Sequence, residues 1–228
     1  MTNLLQEQVD YYRARAPEYD DWFYRRGRYD LGAAHTRQWQ SEAQQIREQL
    51  HCASGFDHIL ELAPGTGIWT AELAIIGARV TALDASPEMI SINRAKLGSD
   101  RVDYRLTDLF QYQPERQYDM VFFGFWLSHV PADRLARFLK RVHGALKPGG
   151  RLFFVDSREL DLSKNRTGTE NLGTERQRRV LSDGRHFDIV KIYYDPAALT
   201  ATLRKHGFDI EVETTDNFFI YADGVKLP

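Results

Sequence analysis

Ile59-Leu60-Glu61-Leu62-Ala63-Pro64-Gly65-Thr66-Gly67-Ile68-Trp69-Thr70 is the stretch that most restricts the fold of this chain. It reads as a buried strand, a glycine-bearing turn and the first turn of a helix in direct succession. Two glycines one residue apart let the backbone approach a ligand with no Cβ in the way, and the helix that follows presents unpaired N–H groups. By itself the G-x-G pattern suits any nucleotide. Its meaning depends on the order of the elements around it.

Upstream, Leu5, Val9 and Tyr12 recur at helical intervals and predict a short helix over residues 2–12. Six aromatic residues then fall between Tyr11 and Tyr24, as padding outside the core or as a lid whose rings cover a bound small molecule. Trp39, Ala43, Ile46 and Leu50 form the stripe of an amphipathic helix over 32–50. Downstream of the turn, a helix over 68–76 closes at Gly77, and a strand over 78–83 ends on Asp84. Ser86 caps a helix with Pro87 at its first position, and Gly98 stops it. Strands over 101–106 and 120–125 follow, then a helix over 131–146 that the breaker Lys147-Pro148-Gly149-Gly150 ends before a strand over 151–155. Residues 157–185 are polar, carry both charge signs and interrupt the alternation. A strand over 187–194, a helix capped by Asp195-Pro196, and short strands over 208–212 and 217–221 complete the chain.

This order predicts an α/β, Rossmann-like, doubly wound fold: a mostly parallel seven-stranded sheet with an antiparallel C-terminal strand and helices on both faces. Residues 1–228 read as a single domain. Within it lie an N-terminal helical lid segment (1–50), a cofactor-binding core (51–156), a substrate-side insertion (157–190), and a C-terminal helix and strands (191–228).

Thirty Lys and Arg against 32 Asp and Glu, a net charge of -2, speak against a generally cationic nucleic-acid binder. The single cysteine, Cys52, excludes an intrachain disulfide framework and a multi-cysteine metal site, and no metal is expected. No leader pattern or long apolar run is present, so the expectation is a cytoplasmic monomer or homodimer that engages neither membrane nor nucleic acid.

In such a sheet a ligand belongs at the carboxyl ends of the strands. The Gly65 to Gly67 turn, Asp84, Asp108 and the segment from Phe123 to His129 collect there, and a carboxylate at Asp84 can accept both hydroxyls of a ribose. A dinucleotide fingerprint needs a third small residue where this chain has Thr70 after Trp69. Glu61 before the turn repels a phosphate and attracts an ammonium group. A ligand with a ribose, an adenine-sized ring and an α-amino acid fits better than a dinucleotide.

Glu61-Leu62-Ala63-Pro64-Gly65-Thr66-Gly67, with Asp84, Thr107-Asp108 and Leu146-Lys147-Pro148-Gly149-Gly150, resembles the class I S-adenosylmethionine-dependent methyltransferases, with Ala63 at the usual first glycine. The resemblance spans roughly residues 59–156 and implies S-adenosylmethionine as cofactor, with S-adenosylhomocysteine as product. By it, Ala63, Gly65 and Gly67 lie against the methionine part, and Glu61 lies near the amine. Asp84 holds the ribose hydroxyls, Ala85 and Met89 flank the adenine, Thr107, Asp108 and the Leu109 backbone reach its amino edge, and Phe125 completes the site.

Methyl transfer from a sulfonium is an in-line displacement in which alignment and exclusion of water count most. A base is needed only when the nucleophile holds a proton, and His129 is the candidate. Tyr11, Tyr19, Tyr24, Trp126, His186 and Tyr193 are candidate walls for a small-molecule acceptor. Arg176, Arg178 and Arg179 can attract an anion, but Glu170, Glu175 and Asp183 nearby favour a mixed solvated face. The expectation is methylation at oxygen or nitrogen of a small aromatic or heterocyclic metabolite. The alternatives are an RNA or protein methyltransferase and a non-catalytic S-adenosylmethionine-binding protein.

Overall fold

The computed structural model describes residues 3–159 and 167–228. The first part of the chain is helical: α1 (Asn3–Arg15), the short α2 (Tyr19–Phe23) and α3 (Ala33–His51). Strand and helix then alternate through β1 (Phe56–Leu62), α4 (Ile68–Ile76), β2 (Gly77–Asp84), α5 (Pro87–Leu97), β3 (Val102–Leu106), β4 (Tyr118–Gly124), α6 (Ala132–Ala145) and β5 (Leu146–Ser157). Three short strands follow, β6 (Glu170–Asn171), β7 (Arg176–Val180) and β8 (His186–Val190), then α7 (Pro196–Lys205), β9 (Phe208–Thr214) and β10 (Phe219–Lys226). Seven strands form the main sheet in the order β3-β2-β1-β4-β5-β10-β9. Within it β10 runs antiparallel to both neighbours and the remaining pairs are parallel. The doubly wound architecture read from the sequence is the observed one.

Both faces of the central strands are apolar, so alternate residues feed two cores. Leu60, Leu62, Val121, Phe123, Leu152 and Phe154 pack toward Phe138, Leu139 and Val142 of α6 and Leu199 and Leu203 of α7. Ile59, Met120, Phe122, Phe153 and Val155 pack toward Trp39 and Ile46 of α3 and Trp69 and Leu73 of α4. Local signals set the helix ends: Ser86 Oγ accepts from the Met89 amide at 3.1 Å, and Asp195 Oδ1 from the Ala198 amide at 2.9 Å.

Three expectations are corrected. The Lys147 to Gly150 breaker does not precede β5 but lies within it. Tyr118 pairs with Leu146 and Met120 with Arg151, so the extra residues bulge out of the ladder, with Gly149 at φ +70°. The strand expected over 187–194 ends at Val190 and belongs to a separate antiparallel sheet, β6-β7-β8. That sheet accounts for much of the polar insertion, whose residues 160–166 lie outside the described ones. Finally, α1 runs on to Arg15, and the aromatic run that follows contains a helix of its own, α2.

Helix α1 covers the small sheet. Tyr11 packs with Leu181 and Ile189. Glu7 accepts from the Asp188 amide at 2.7 Å and Gln8 from the Val190 amide at 3.0 Å, so α1 side chains satisfy an edge of β8 that would otherwise be open. Helix α1 and the small sheet therefore pack as one layer.

Candidate active site

A cavity lies where β1, β2, β3 and β4 end, roofed by Leu5, Gln8, Val9 and Tyr12 of α1 and by Tyr19 of α2. Its floor is the turn after β1. Gly65 and Gly67 have φ of +55° and +95°, where a side chain is strained. A Cβ on Gly67 would stand 2.6 Å from Asn93 Oδ1. Asn93, fully buried on α5, donates to Thr70 Oγ1 at 2.9 Å and accepts from the Tyr104 hydroxyl at 2.8 Å. These contacts fix the turn from beneath. Ala63, at the end of β1, also has a positive φ, +57°. So has Phe125, at +56° after β4, an uncommon state for a bulky residue and one that gathers at functional sites.

Asp84 closes β2 inside the cavity, accepting from the Gly65 amide at 3.1 Å and the Ser86 amide at 2.9 Å. Burial raises its pKa to about 6, against the backbone donors that lower it. A carboxylate offers about four lone-pair directions, so two hydroxyl donors can still be accepted. Asp108 lines the same cavity but ties down its own turn, accepting from the Phe110 amide at 2.9 Å and Gln111 Nε2 at 2.7 Å. Ala85, Met89, Leu109 and Trp126 also line it. Glu61, Gly67 and Thr107 do not; they lie beneath or behind the wall. Glu61 is buried, its Oε2 has no hydrogen-bond partner, and burial lifts its pKa to about 8, with the Thr70 hydroxyl opposing.

A second, smaller chamber shares Tyr12, Tyr19 and Phe125 with the first. Its other lining residues are Arg15, Trp22, His129, Ser157, Arg179, Lys191 and Tyr193. His129 sits here with both ring nitrogens engaged. Nδ1 lies 2.6 Å from the Val190 carbonyl and must donate to it, so Nε2 accepts from the Tyr12 hydroxyl, also at 2.6 Å. Burial, and then the Lys191 charge, hold its pKa well below the usual value. Lys191 Nζ donates to Ser128 Oγ and Ser157 Oγ, both at 2.7 Å, and to Asp156 Oδ1 at 3.1 Å. Burial opposes the charge of Asp156, but Lys191, His129 and the Ser128 donors outweigh it and keep its pKa low.

The wall residues read from the sequence divide. Tyr19, Trp126 and Tyr193 face one or both cavities. Tyr11 packs under α1, Tyr24 lies beside the Trp22 and Phe23 cluster, and His186 is exposed on β8. Sequence reasoning missed Arg15, Trp22, Tyr12 as partner of His129, and Lys191. A cation inside the Tyr11 to Trp22 aromatic run was the available signal for Arg15. Arg179 was read with the solvated face. In β7, however, Arg176 and Arg178 turn out to Asp188, at 2.8 and 2.9 Å, while Gln177 and Arg179 turn inward.

Helix α2 is pinned to the glycine turn. Asp20 of α2 accepts from the Thr66 hydroxyl at 2.5 Å and pairs with Lys96 of α5 at 2.5 Å. Among the described residues no group of three or more His, Cys, Asp or Glu side chains is placed to hold a metal ion, and no helix is long and apolar enough to cross a membrane.

A glycine turn, a buried carboxylate at the end of β2 and a cavity lie together at the carboxyl ends of a β3-β2-β1-β4-β5-β10-β9 sheet, where a doubly wound fold binds its ligand. The family model described as "Methyltransferase domain" matches residues 59–150. A solved structure described as the DhpI-SAM-HEP complex is 38% identical, with 98% of each chain covered and a TM-score of 0.81. Among curated proteins, the ubiquinone biosynthesis O-methyltransferase of Xanthomonas euvesicatoria pv. vesicatoria (strain 85-10) is 34% identical over 158 residues, 67% of this chain and 63% of that protein. The N-methyltransferase NodS from Bradyrhizobium japonicum WM9 shares the fold at 16% identity, with a TM-score of 0.63 and coverage of 96% of this chain and 98% of that one. The chain belongs to the class I S-adenosylmethionine-dependent methyltransferases, the family whose cofactor is S-adenosylmethionine.

Proposed function

We propose that this protein transfers the methyl group of S-adenosylmethionine to an oxygen of a small acceptor held in the second chamber. The observation that carries the reading is the pair of adjoining cavities, one floored by the glycine turn and Asp84, the other sharing the walls Tyr12, Tyr19 and Phe125. Gly65 lines the first cavity, a bare backbone against which the cofactor's amino-acid part would lie. Asp84 would accept its ribose hydroxyls, and Met89 and Leu109 would flank its ring. When bound, this cofactor supplies a methyl group already activated on a sulfonium.

The residues of the chain then align and enclose. Phe125, Tyr12 and Tyr19 exclude water between the two sites, and fixed geometry of this kind is worth roughly 7–11 kcal/mol of barrier. Oxygen is favoured over nitrogen because Arg15, Arg179 and Lys191 around the chamber repel a protonated amine. The aromatic walls suit a flat apolar body, in keeping with an aromatic or heterocyclic acceptor. Calorimetry with S-adenosylhomocysteine tests the cofactor site: micromolar affinity is expected, falling by about a hundredfold in Asp84→Ala, the loss of charged hydrogen bonds worth roughly 1.5–3 kcal/mol. Tight NAD binding with no S-adenosylhomocysteine binding would sink the reading. Label from methyl-labelled S-adenosylmethionine appearing in a protein-dependent product separates an enzyme from a binding protein.

A further inference from the structure

We propose that the second chamber takes a compact oxyanion, a carboxylate or phosphoryl-type group, and that an anionic oxygen of this group is the atom methylated. The inference deepens the methyltransferase reading and rests on it for the source of the methyl group. Three cations from three elements line the chamber: Arg15 at the end of α1, Arg179 on β7 and Lys191 just after β8. Among the described residues no carboxylate lines it.

Arg15 is 5% exposed, yet its side chain makes no hydrogen bond or ion pair with a described residue, and Nε is a buried donor left unfilled. The rings of Tyr11, Tyr19 and Trp22, 5.1–5.5 Å from its Cζ, steady the charge without accepting its N–H groups. Arg179 Nε is likewise buried without a partner, whereas Arg176 and Arg178 on the same strand are satisfied by Asp188. Guanidinium groups withdrawn from water without a counter-charge are destabilising. A two-oxygen anion fills their planar donor forks. Lys191, already donating to Asp156, adds to the positive field.

Among the described residues the same chamber has no group placed to take a proton from a neutral hydroxyl. His129 has both nitrogens engaged, and a proton on it would add a fourth positive charge beside the other three. Burial keeps the Tyr12 and Tyr19 phenols protonated. An oxyanion has no proton to lose. A lone pair of the anionic oxygen forms the O–CH₃ bond as the CH₃–S bond breaks, and that bonding pair stays on sulfur. One positive and one negative charge disappear together, leaving a thioether and a methyl ester. The ester carries one negative charge fewer, so the cations hold it more weakly than the acceptor.

The test is titration of the S-adenosylhomocysteine complex with inorganic phosphate and, separately, acetate, at matched chloride, by calorimetry. At least one anion should bind the wild type. Its affinity should fall at least tenfold in Arg179→Gln and in Arg15→Gln, recover in part in Arg179→Lys, and leave S-adenosylhomocysteine affinity within twofold. Binding of phosphate alone assigns a phosphoryl-type acceptor, and of acetate alone a carboxylate. Failure of both to bind, or affinities indifferent to both substitutions, overturns the proposal. Arg179 is half-buried on the small sheet, so Arg179→Gln keeps the test decisive if Arg15→Gln does not fold. If S-adenosylhomocysteine itself does not bind, the methyltransferase reading fails, while anion binding lost in Arg179→Gln would still establish the anion site. Label transferred from S-adenosylmethionine to small organic acids or phosphoryl compounds should be released by base; label in a base-stable ether overturns the assignment of the nucleophile.

Discussion

The floor of the first cavity and the walls of the second are built on opposite plans. The floor is built on backbone: the Gly65 to Gly67 turn, the amides of Gly65 and Ser86, and the carboxylate that ends β2, all within about thirty residues of sequence. The chamber is made of side chains drawn from Tyr12 to Tyr193, brought together only when α1 packs on the small sheet. A floor of backbone can serve one fixed ligand, and walls of side chains can be changed one at a time. A fixed floor under variable walls is how one fold can host many functions.

The contrast would be broken most visibly at Lys191, where the chamber reaches into the core. Lys191→Met leaves Asp156, 1% exposed, as a buried charge without its cation. Stability in urea is expected to fall by about 3–5 kcal/mol, and Asp156→Asn in the same background to recover part of it. A loss under about 1 kcal/mol would mean that the pair is solvated and the chamber open.

The floor has its own charge signature. Burial raises Glu61 from 4.5 to about 8, so between those values the native state holds a proton that the unfolded chain has released. Stability from this group therefore falls as pH rises from about 4.5 to about 8, with a slope of at most about 1.4 kcal/mol per pH unit. Glu61→Gln should flatten the decline when unfolding is followed at several pH values across that range. A decline of the same slope in the variant would place its source elsewhere.

Tyr12→Phe is expected to cost about 1–3 kcal/mol, because it leaves an acceptor on buried His129 unfilled. Urea unfolding measures this, and a neutral result would show water replacing the phenol. The smallest effect belongs to Ala63→Gly, which relieves a left-handed alanine at φ +57°. A gain of up to about 1 kcal/mol in thermal unfolding is expected, offset in part by the freedom glycine adds to the unfolded chain.

The two regions also differ in how much of them could be read from the sequence. Strand, turn and helix at Ile59 to Thr70, the caps at Ser86 and Asp195 and the carboxylate at Asp84 are short-range signals, and each lies where it was expected. Asn93 was not legible, since nothing near it in sequence says that its amide supports Thr70 and faces Gly67. The small sheet was missed because β7 is Arg-Gln-Arg-Arg-Val, whose alternation sorts paired from unpaired cations instead of polar from apolar residues. His129 was legible as a residue beyond the end of β4, but its engagement by Tyr12 and Val190 depends on contacts across 117 and 61 residues.

Asp20 gives the division between the regions a practical meaning. Its two oxygens receive the Thr66 hydroxyl of the floor and Lys96 of α5, so Asp20 fastens α2 to the glycine turn and to α5 together. It works as a standard coupling between interchangeable parts. A transplanted amino-terminal segment could bring a different set of rings and cations to the acceptor, but it would seat correctly only if it presented a carboxylate at this joint.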